Sequence, residues 1–311
     1  MTKKSYRVRN WQEYNKALTQ RGSLTLWIDE TIADKWYEKT TDKRPRGRQL
    51  TYSAFAMETC LRLRLLFHLA LRQGHGFVAS VFALMQLHLP VPSASQQCRR
   101  QKTLALTLGH QVKGPLHVVV DATGLKMYGE GEWKVRQHGY SKHRMWRKLH
   151  IGIDVASQQV VMMALTDNGI GENKLLRPLL NQYTKGYTTI GGDKGYDAYD
   201  SHEEVKRRGA TSAIMIQRQS KIRQRASKDK PPLVRDEIIR QMRKLGRKGW
   251  KKAVNYHQRS LVETAIFRYK TCFGDKLRAR NLVNQQIEAF MACNTLNRFT
   301  QLGMPLAEIV N

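Results

Sequence analysis

The period of the apolar positions changes along the chain, and the changes divide it. From Tyr52 to Leu71 they recur at helical spacing, through Phe55, Leu61, Leu63, Leu65, Leu66 and Leu69. Gln73-Gly74-His75-Gly76 reads as a break, and Phe77 to Leu87 as a second apolar helix. Pro90-Val91-Pro92 breaks the pattern again, and Ser93 or Ser95 can cap a short basic helix through Cys98-Arg99-Arg100. Ahead of these, residues 1–50 are mixed and polar, with Trp11, Trp27 and Trp36 as expected anchors of a small core. The succession over residues 52–105 is the outline of a helix-turn-helix. An ordinary three-helix bundle has the same pattern, and the sequence leaves the two level.

After Pro115 the period becomes that of strands. Leu116-His117-Val118-Val119-Val120-Asp121 reads as a buried strand ending on an acid. Lys148 to Asp154 and Gln159 to Leu165 read as two more, joined by the turn Asp154-Val155-Ala156-Ser157-Gln158. A helix is expected over Glu172 to Tyr183, a fourth strand at Thr188–Asp193, a charged helix near His202–Arg208 and a short strand at Thr211–Ile216. From Tyr256 onward the chain reads as helical. Three strands, helix, strand, helix, strand, helix is the element order of a ribonuclease-H-like α/β domain. The expected division is a helical region at 1–110 and an α/β domain at 111–311, interrupted by a basic insertion at 217–255.

Charge narrows the partner. The 311 residues hold 54 Lys and Arg against 25 Asp and Glu, a net charge of +29 that calls for a polyanion, nucleic acid before an anionic membrane. There is no run of 18 apolar residues and no signal peptide at Met1-Thr2-Lys3-Lys4-Ser5-Tyr6, so the chain reads as soluble and intracellular. Cys60, Cys98, Cys272 and Cys293 form no Cys-x-x-Cys pair, which argues against a zinc site or a disulfide framework. His138, His143 and His150 are close in sequence, but a basic strand-and-turn segment accounts for them as well as a metal does. Residues 218–259 carry 15 Lys or Arg and 3 Asp or Glu, a local excess of +12. Such runs are usually solvated faces; this one lies between candidate catalytic acids, which favours contact with a DNA backbone.

Those acids are Asp121 and Asp193, each at an expected strand end, where open α/β sheets present their chemistry. Phosphodiester cleavage by two divalent ions requires hard oxygen ligands. A third carboxylate should come from a helix beside the sheet, and Glu263 fits. At helical spacing Tyr256, Arg259, Glu263 and Lys270 share one face. Arg259 and Glu263 at i, i+4 are otherwise an ordinary surface pair. Asp154 reads as a turn residue, Asp167 as a loop residue, and Asp197 and Asp200 as the opening of the following helix. Trp250, set among Arg247, Lys248, Lys251 and Lys252, has two readings. It stacks a base drawn out of the duplex, or it packs the insertion against the core.

The pattern Tyr256-x-x-Arg259-x-x-x-Glu263-x-x-x-x-x-x-Lys270 resembles the signature around the catalytic glutamate of bacterial insertion-sequence transposases of the Asp-Asp-Glu type. Val120-Asp121-Ala122-Thr123-Gly124-Leu125-Lys126 and Asp193-Lys194-Gly195-Tyr196-Asp197 resemble that family's first and second aspartate segments. Residues 129–136, 146–150, 10–15 and 21–25 also look like members of the group, and residues 217–255 match least. The resemblance implies a transposase that binds an element's terminal inverted repeats, cuts the ends and joins them to target DNA. It implies Asp121, Asp193 and Glu263 as ligands of two Mg2+ ions, with Mn2+ able to substitute. Arg259 and Lys270 would touch the DNA end, Tyr256 would support that face or a nucleotide, and the helical region, with Arg99 and Arg100, would bind the repeats. A homodimer or higher oligomer on double-stranded DNA is expected, cytoplasmic and nucleoid-associated, with no membrane partner. The competing readings are a structure-specific nuclease on the same fold, which cuts without joining, and a DNA-binding regulator with a degenerate catalytic domain. All three acids are present, which disfavours the regulator.

Overall fold

The computed structural model describes residues 5–29, 31–39, 50–127, 146–223 and 232–310. The segment 129–136, with His138 and His143, lies outside the described residues, as do residues 224–231 of the basic insertion. The chain forms two compact units, Met1–Thr107 together with Asn294–Asn311, and Leu108–Cys293. The two units meet in sequence between Thr107 and Leu108, and the last residues return to the first unit, a return with no sign in the sequence. No helix among the described residues is long and apolar enough to cross a membrane.

In the first unit β1 (Ser5–Val8) pairs antiparallel with β8 (Ala307–Val310), and α1 (Trp11–Arg21) and the short α2 (Ile32–Trp36) follow β1. Three helices, α3 (Ala54–Leu66), α4 (Leu71–Leu84) and α5 (Ala94–Gln101), pack on one another. Ser53 caps α3 through Ala56 N at 3.1 Å, and Ser93 with Gln96 forms a capping box on α5. The break between α3 and α4 is not at the glycines. His68 turns the chain at φ 54°, and Gly74 and Gly76 lie inside α4. Gly74 is there because the helices touch: a Cβ on it would stand 2.9 Å from Arg64 Cβ. Only one of the three tryptophans is a full anchor. Trp36 is buried edge-on to Phe82 and donates to Pro90 O, whereas Trp27 is partly buried and Trp11 is 58% exposed.

The second unit is built on a mixed sheet in the order β4-β3-β2-β5-β6, with β7 also on β2. Its strands are β2 (Leu116–Met127), β3 (Trp146–Asp154), β4 (Val160–Asp167), β5 (Tyr187–Gly192), β6 (Thr211–Ile214) and β7 (Lys276–Leu277). β3 runs antiparallel to β2 and β4, while β5 and β7 run parallel to β2 and β6 runs parallel to β5. Val118 and Val120 point to one face of β2, where α6 (Glu172–Leu180) and α7 (Tyr199–Arg207) cover them with Leu176, Leu179, Leu180 and Val205. α8 (Val234–Ala253), α9 (Ser260–Phe273) and α10 (Leu282–Leu302) complete the described helices. This mixed α/β arrangement is the ribonuclease-H-like fold expected from the element order. Asp154 is a turn residue, its carboxylate accepting from Ser157 N.

The basic insertion has a core of its own. Along α8, Ile238, Ile239, Met242 and Trp250 are buried with Met215 and Ile216, while Arg243, Lys244, Lys248 and Lys252 are exposed. Gly246, at φ 67°, breaks the helix between these stretches.

Candidate active site

The register of β2 on β5 brings two acids together. Val119 pairs with Gly191, and Asp121 and Asp193 each follow two residues later on these parallel neighbours. Asp121 does not end its strand, as the sequence suggested, because β2 continues to Met127 against β3. Its partner β5 stops at Gly192, so the acid lies where parallel pairing ends. Asp193 follows the strand directly, and its Oδ1 accepts from Gly195 N at 2.8 Å in a single 3-10 turn.

The third acid comes from α9, whose Val262, Ala265, Tyr269 and Phe273 are buried and whose Glu263 is exposed. Tyr256 and Arg259 belong to a 3-10 turn immediately before α9 and not to the helix itself. That turn sends the Arg259 guanidinium between two acids: Nη1 pairs with Asp121 Oδ2 at 3.2 Å and Nη2 with Glu263 Oε1. Burial pushes the Asp121 carboxyl up to about 6, against the pull of the Ala122 amide and Arg259; Asp193 and Glu263 add to the rise. Asp121 therefore senses both of the other acids. Among the described residues, no group of three or more His, Cys, Asp or Glu is close enough to hold a metal ion as it stands. Arg259 supplies the positive charge in that place. A set of hard carboxylate oxygens around a cationic stand-in fits a divalent ion.

Around this cluster the structure sorts the other expected residues. Tyr256 lies 6.1 Å from the Trp250 ring, with Lys251 and Arg259 near its own ring, and so ties the acid site to the insertion. Trp250 is only 1% exposed within the insertion's core. Its indole has no face open to a base, so packing replaces stacking as its role. Lys270 lies two helical turns past Glu263 and acts on Asp275. Arg99 is exposed on α5, while Arg100 donates to Tyr52 O at 3.1 Å and lies 3.9 Å from Glu38. Asp197 does not cap α7. Its buried carboxylate takes Arg235 through two hydrogen bonds, at 2.7 and 2.8 Å.

A family model described as a transposase DDE domain matches residues 113–298, which include all three acids. The chain belongs to the transposase DDE-domain family. A second model with the same description matches residues 19–130. Among solved structures, the cryo-EM structure of the piggyBac transposase synaptic complex with hairpin DNA is similar at 10% identity and a TM-score of 0.43, over 96% of this chain and 77% of that one. That likeness is too distant to carry an argument. As a DDE transposase the chain is a DNA-cutting and DNA-joining enzyme of a class that generally uses divalent metal ions.

Sequence reasoning missed three residues beside the acids. Glu172 opens α6 and lies near Asp193 and Lys148. Tyr196 is buried beneath the acids. Phe267, one turn past Glu263 on the same face, is 69% exposed. An apolar residue on the exposed face of an amphipathic helix was the available signal for Phe267. Glu172 had none, since only the fold brings it to Asp193, whereas Tyr196 stood in the segment Asp193-Lys194-Gly195-Tyr196-Asp197 without being given a role.

Proposed function

We propose that this transposase cuts the terminal inverted repeats of an insertion sequence and joins the freed ends to target DNA, using Asp121, Asp193 and Glu263 to hold two Mg2+ ions. The observation that carries this reading is the Arg259 guanidinium between Asp121 and Glu263, with Asp193 directly after the strand that pairs in parallel with β2. When bound, such ions activate the attacking water or 3′ hydroxyl and stabilise the leaving oxygen; Mn2+ supplies the same chemistry. The protein's part is placement. β2 and the turn after β5 fix two acids on the sheet, and α9 brings the third. Arg259 neutralises the cluster in the cation-free protein. It is free to pair with a phosphate once the acids have another counter-charge. The face carrying Glu263, Phe267 and Lys270 then lies along the DNA end, and the exposed cations of α8 follow the backbone.

In this reading the three helices α3–α5, with Arg99 exposed on α5, recognise the repeats, and the protein works as a homodimer or larger assembly on double-stranded DNA. The test uses the DNA flanking the reading frame as donor, a supercoiled plasmid as target, and Mg2+. Joined products are expected, and none from Asp121→Asn, Asp193→Asn or Glu263→Gln. Cleavage without joining would establish the nuclease reading instead.

A further inference from the structure

Two features beside Asp193 are not accounted for by three acids. The first is Glu172. A Cβ built on Gly195 would stand 1.9 Å from Glu172 Oε2 and 3.0 Å from Asp193 Oδ1, so both carboxylates close on the same piece of backbone. Among the described residues Glu172 forms an ion pair with Lys148, whose Nζ is 3.7 Å from its Oε1 and also donates to Ile170 O at 3.3 Å, so that this cation is shared with a backbone carbonyl. Burial, and then Asp193, push the Glu172 carboxyl above its ordinary value.

The second feature is Tyr196. Its side chain is fully buried, and among the described residues its hydroxyl has no hydrogen-bond partner. The charges it feels are those of Glu172, Asp121 and Asp193. A buried hydroxyl without a protein partner is costly and rare, and it calls for an acceptor. Packing alone would be served by phenylalanine.

We infer that Glu172 is a fourth oxygen donor of the cation centre, on the Asp193 side, and that the Tyr196 hydroxyl donates to a water or carboxylate of the filled centre. The inference rests on the reading of the acid cluster as a divalent-ion site and extends it by two residues. A hydrated cation there resolves both features at once. It gives two crowded like charges a common counter-charge, and it gives the hydroxyl an acceptor. Lys148 then acts as a competitor for Glu172 and not as its structural mate.

The experiment titrates the full chain, free of DNA, with Mn2+, following free ion by electron paramagnetic resonance, beside melting curves in EDTA. Glu172→Gln is expected to weaken Mn2+ binding by about tenfold or more. Lys148→Met should tighten it, and Tyr196→Phe should weaken it by a smaller factor. Opposite signs for two variants that break the same ion pair are the signature. A purely structural pair would lower both melting temperatures in EDTA and leave both Mn2+ constants at the parent value, which overturns the inference. Asp193→Asn separates the two levels. If it abolishes binding while Glu172→Gln and Lys148→Met do not change it, the inference fails and the ion site stands; if none of the three changes binding, both fail. Should Glu172→Gln not fold, an unchanged constant in Lys148→Met is sufficient to reject the proposal.

Discussion

Replacing Asp197 by Ala removes several contacts from one buried point. The carboxylate, with no exposed side-chain surface, accepts from Arg235 Nε at 2.7 Å, Arg235 Nη2 at 2.8 Å and Gln217 N at 2.9 Å, and contacts His202 Nε2 at 3.2 Å. Burial pushes its pKa up, but the hydrogen bonds from His202, Arg235 and Gln217 overcome burial and hold it below the ordinary carboxylate value. Arg235 keeps Ser220 Oγ at 2.7 Å and the Tyr199 ring at 4.9 Å, yet it is left as a buried cation without this counter-charge. Stranding one partner of a buried pair costs about 3–5 kcal/mol. Asp197→Ala should therefore lower the unfolding free energy of the second unit by that amount in a urea titration. The double variant Asp197→Ala/Arg235→Met should recover most of it, since no charge is stranded. The sign with pH follows from a depressed folded pKa. The stabilisation is present above the unfolded value of 3.8 and fades as pH falls toward the folded one. The parent–variant gap should hold from neutral pH down to about 4 and narrow below it. A single-variant cost under about 1 kcal/mol, or a double variant as unstable as the single, would refute the latch.

Other outcomes follow from the same geometry. Asp121→Asn should melt higher than the parent in EDTA at pH 7.5, by at most on the order of 3 kcal/mol. Its raised folded pKa, about 6, favours the neutral form, so the protonated carboxyl's contribution is full below 3.8 and lost as pH rises through 6; the gap should close by pH 4. Trp250→Ala should cost about 3–5 kcal/mol in a melting curve while chemistry per folded molecule is unchanged. Trp250→Phe should cost much less, because the indole N–H has no partner to lose. Neutralising Arg243, Lys244, Lys248 and Lys252 together should flatten the dependence of log K for DNA on log salt by up to about 3.6, read from gel shifts at several salt concentrations. Phe267→Ala should leave the melting curve in place and slow end cleavage, whereas Phe267→Trp should restore cleavage.

The sequence held more of the sheet than of the site's surroundings. Periodicity located five strands of the second unit because buried β-branched runs such as Val118–Val120 have few other uses, but Lys276–Leu277 forms β7 in a stretch expected to be helical. It misplaced the first break because glycine is read as punctuation, whereas Gly74 is a contact between two helices. The three candidate acids stood out through their motif, while Arg259 was read as a DNA contact or a surface partner of Glu263, and its bridge to Asp121 joins residues far apart in sequence. Asp197 was read as a cap because Asp commonly opens helices; its partner Arg235 is held on another element. Trp250 among cations left base stacking and packing both open, since amphipathicity interrupted at Gly246 hides which face of α8 is inward.

The pairing of β1 with β8 sets a schedule for synthesis. Tyr6 is in register with Ile309, so β1 gains its partner strand only after the roughly 300 residues between them have been made. The stretch from Leu108 to Cys293, which belongs to the other unit, must be made in between. At the usual rates of translation this takes roughly 10–40 s. Through that interval β1 has an open edge and the first unit lacks the C-terminal part of α10. The catalytic unit thus has all its residues before the first unit does, although its chain starts later.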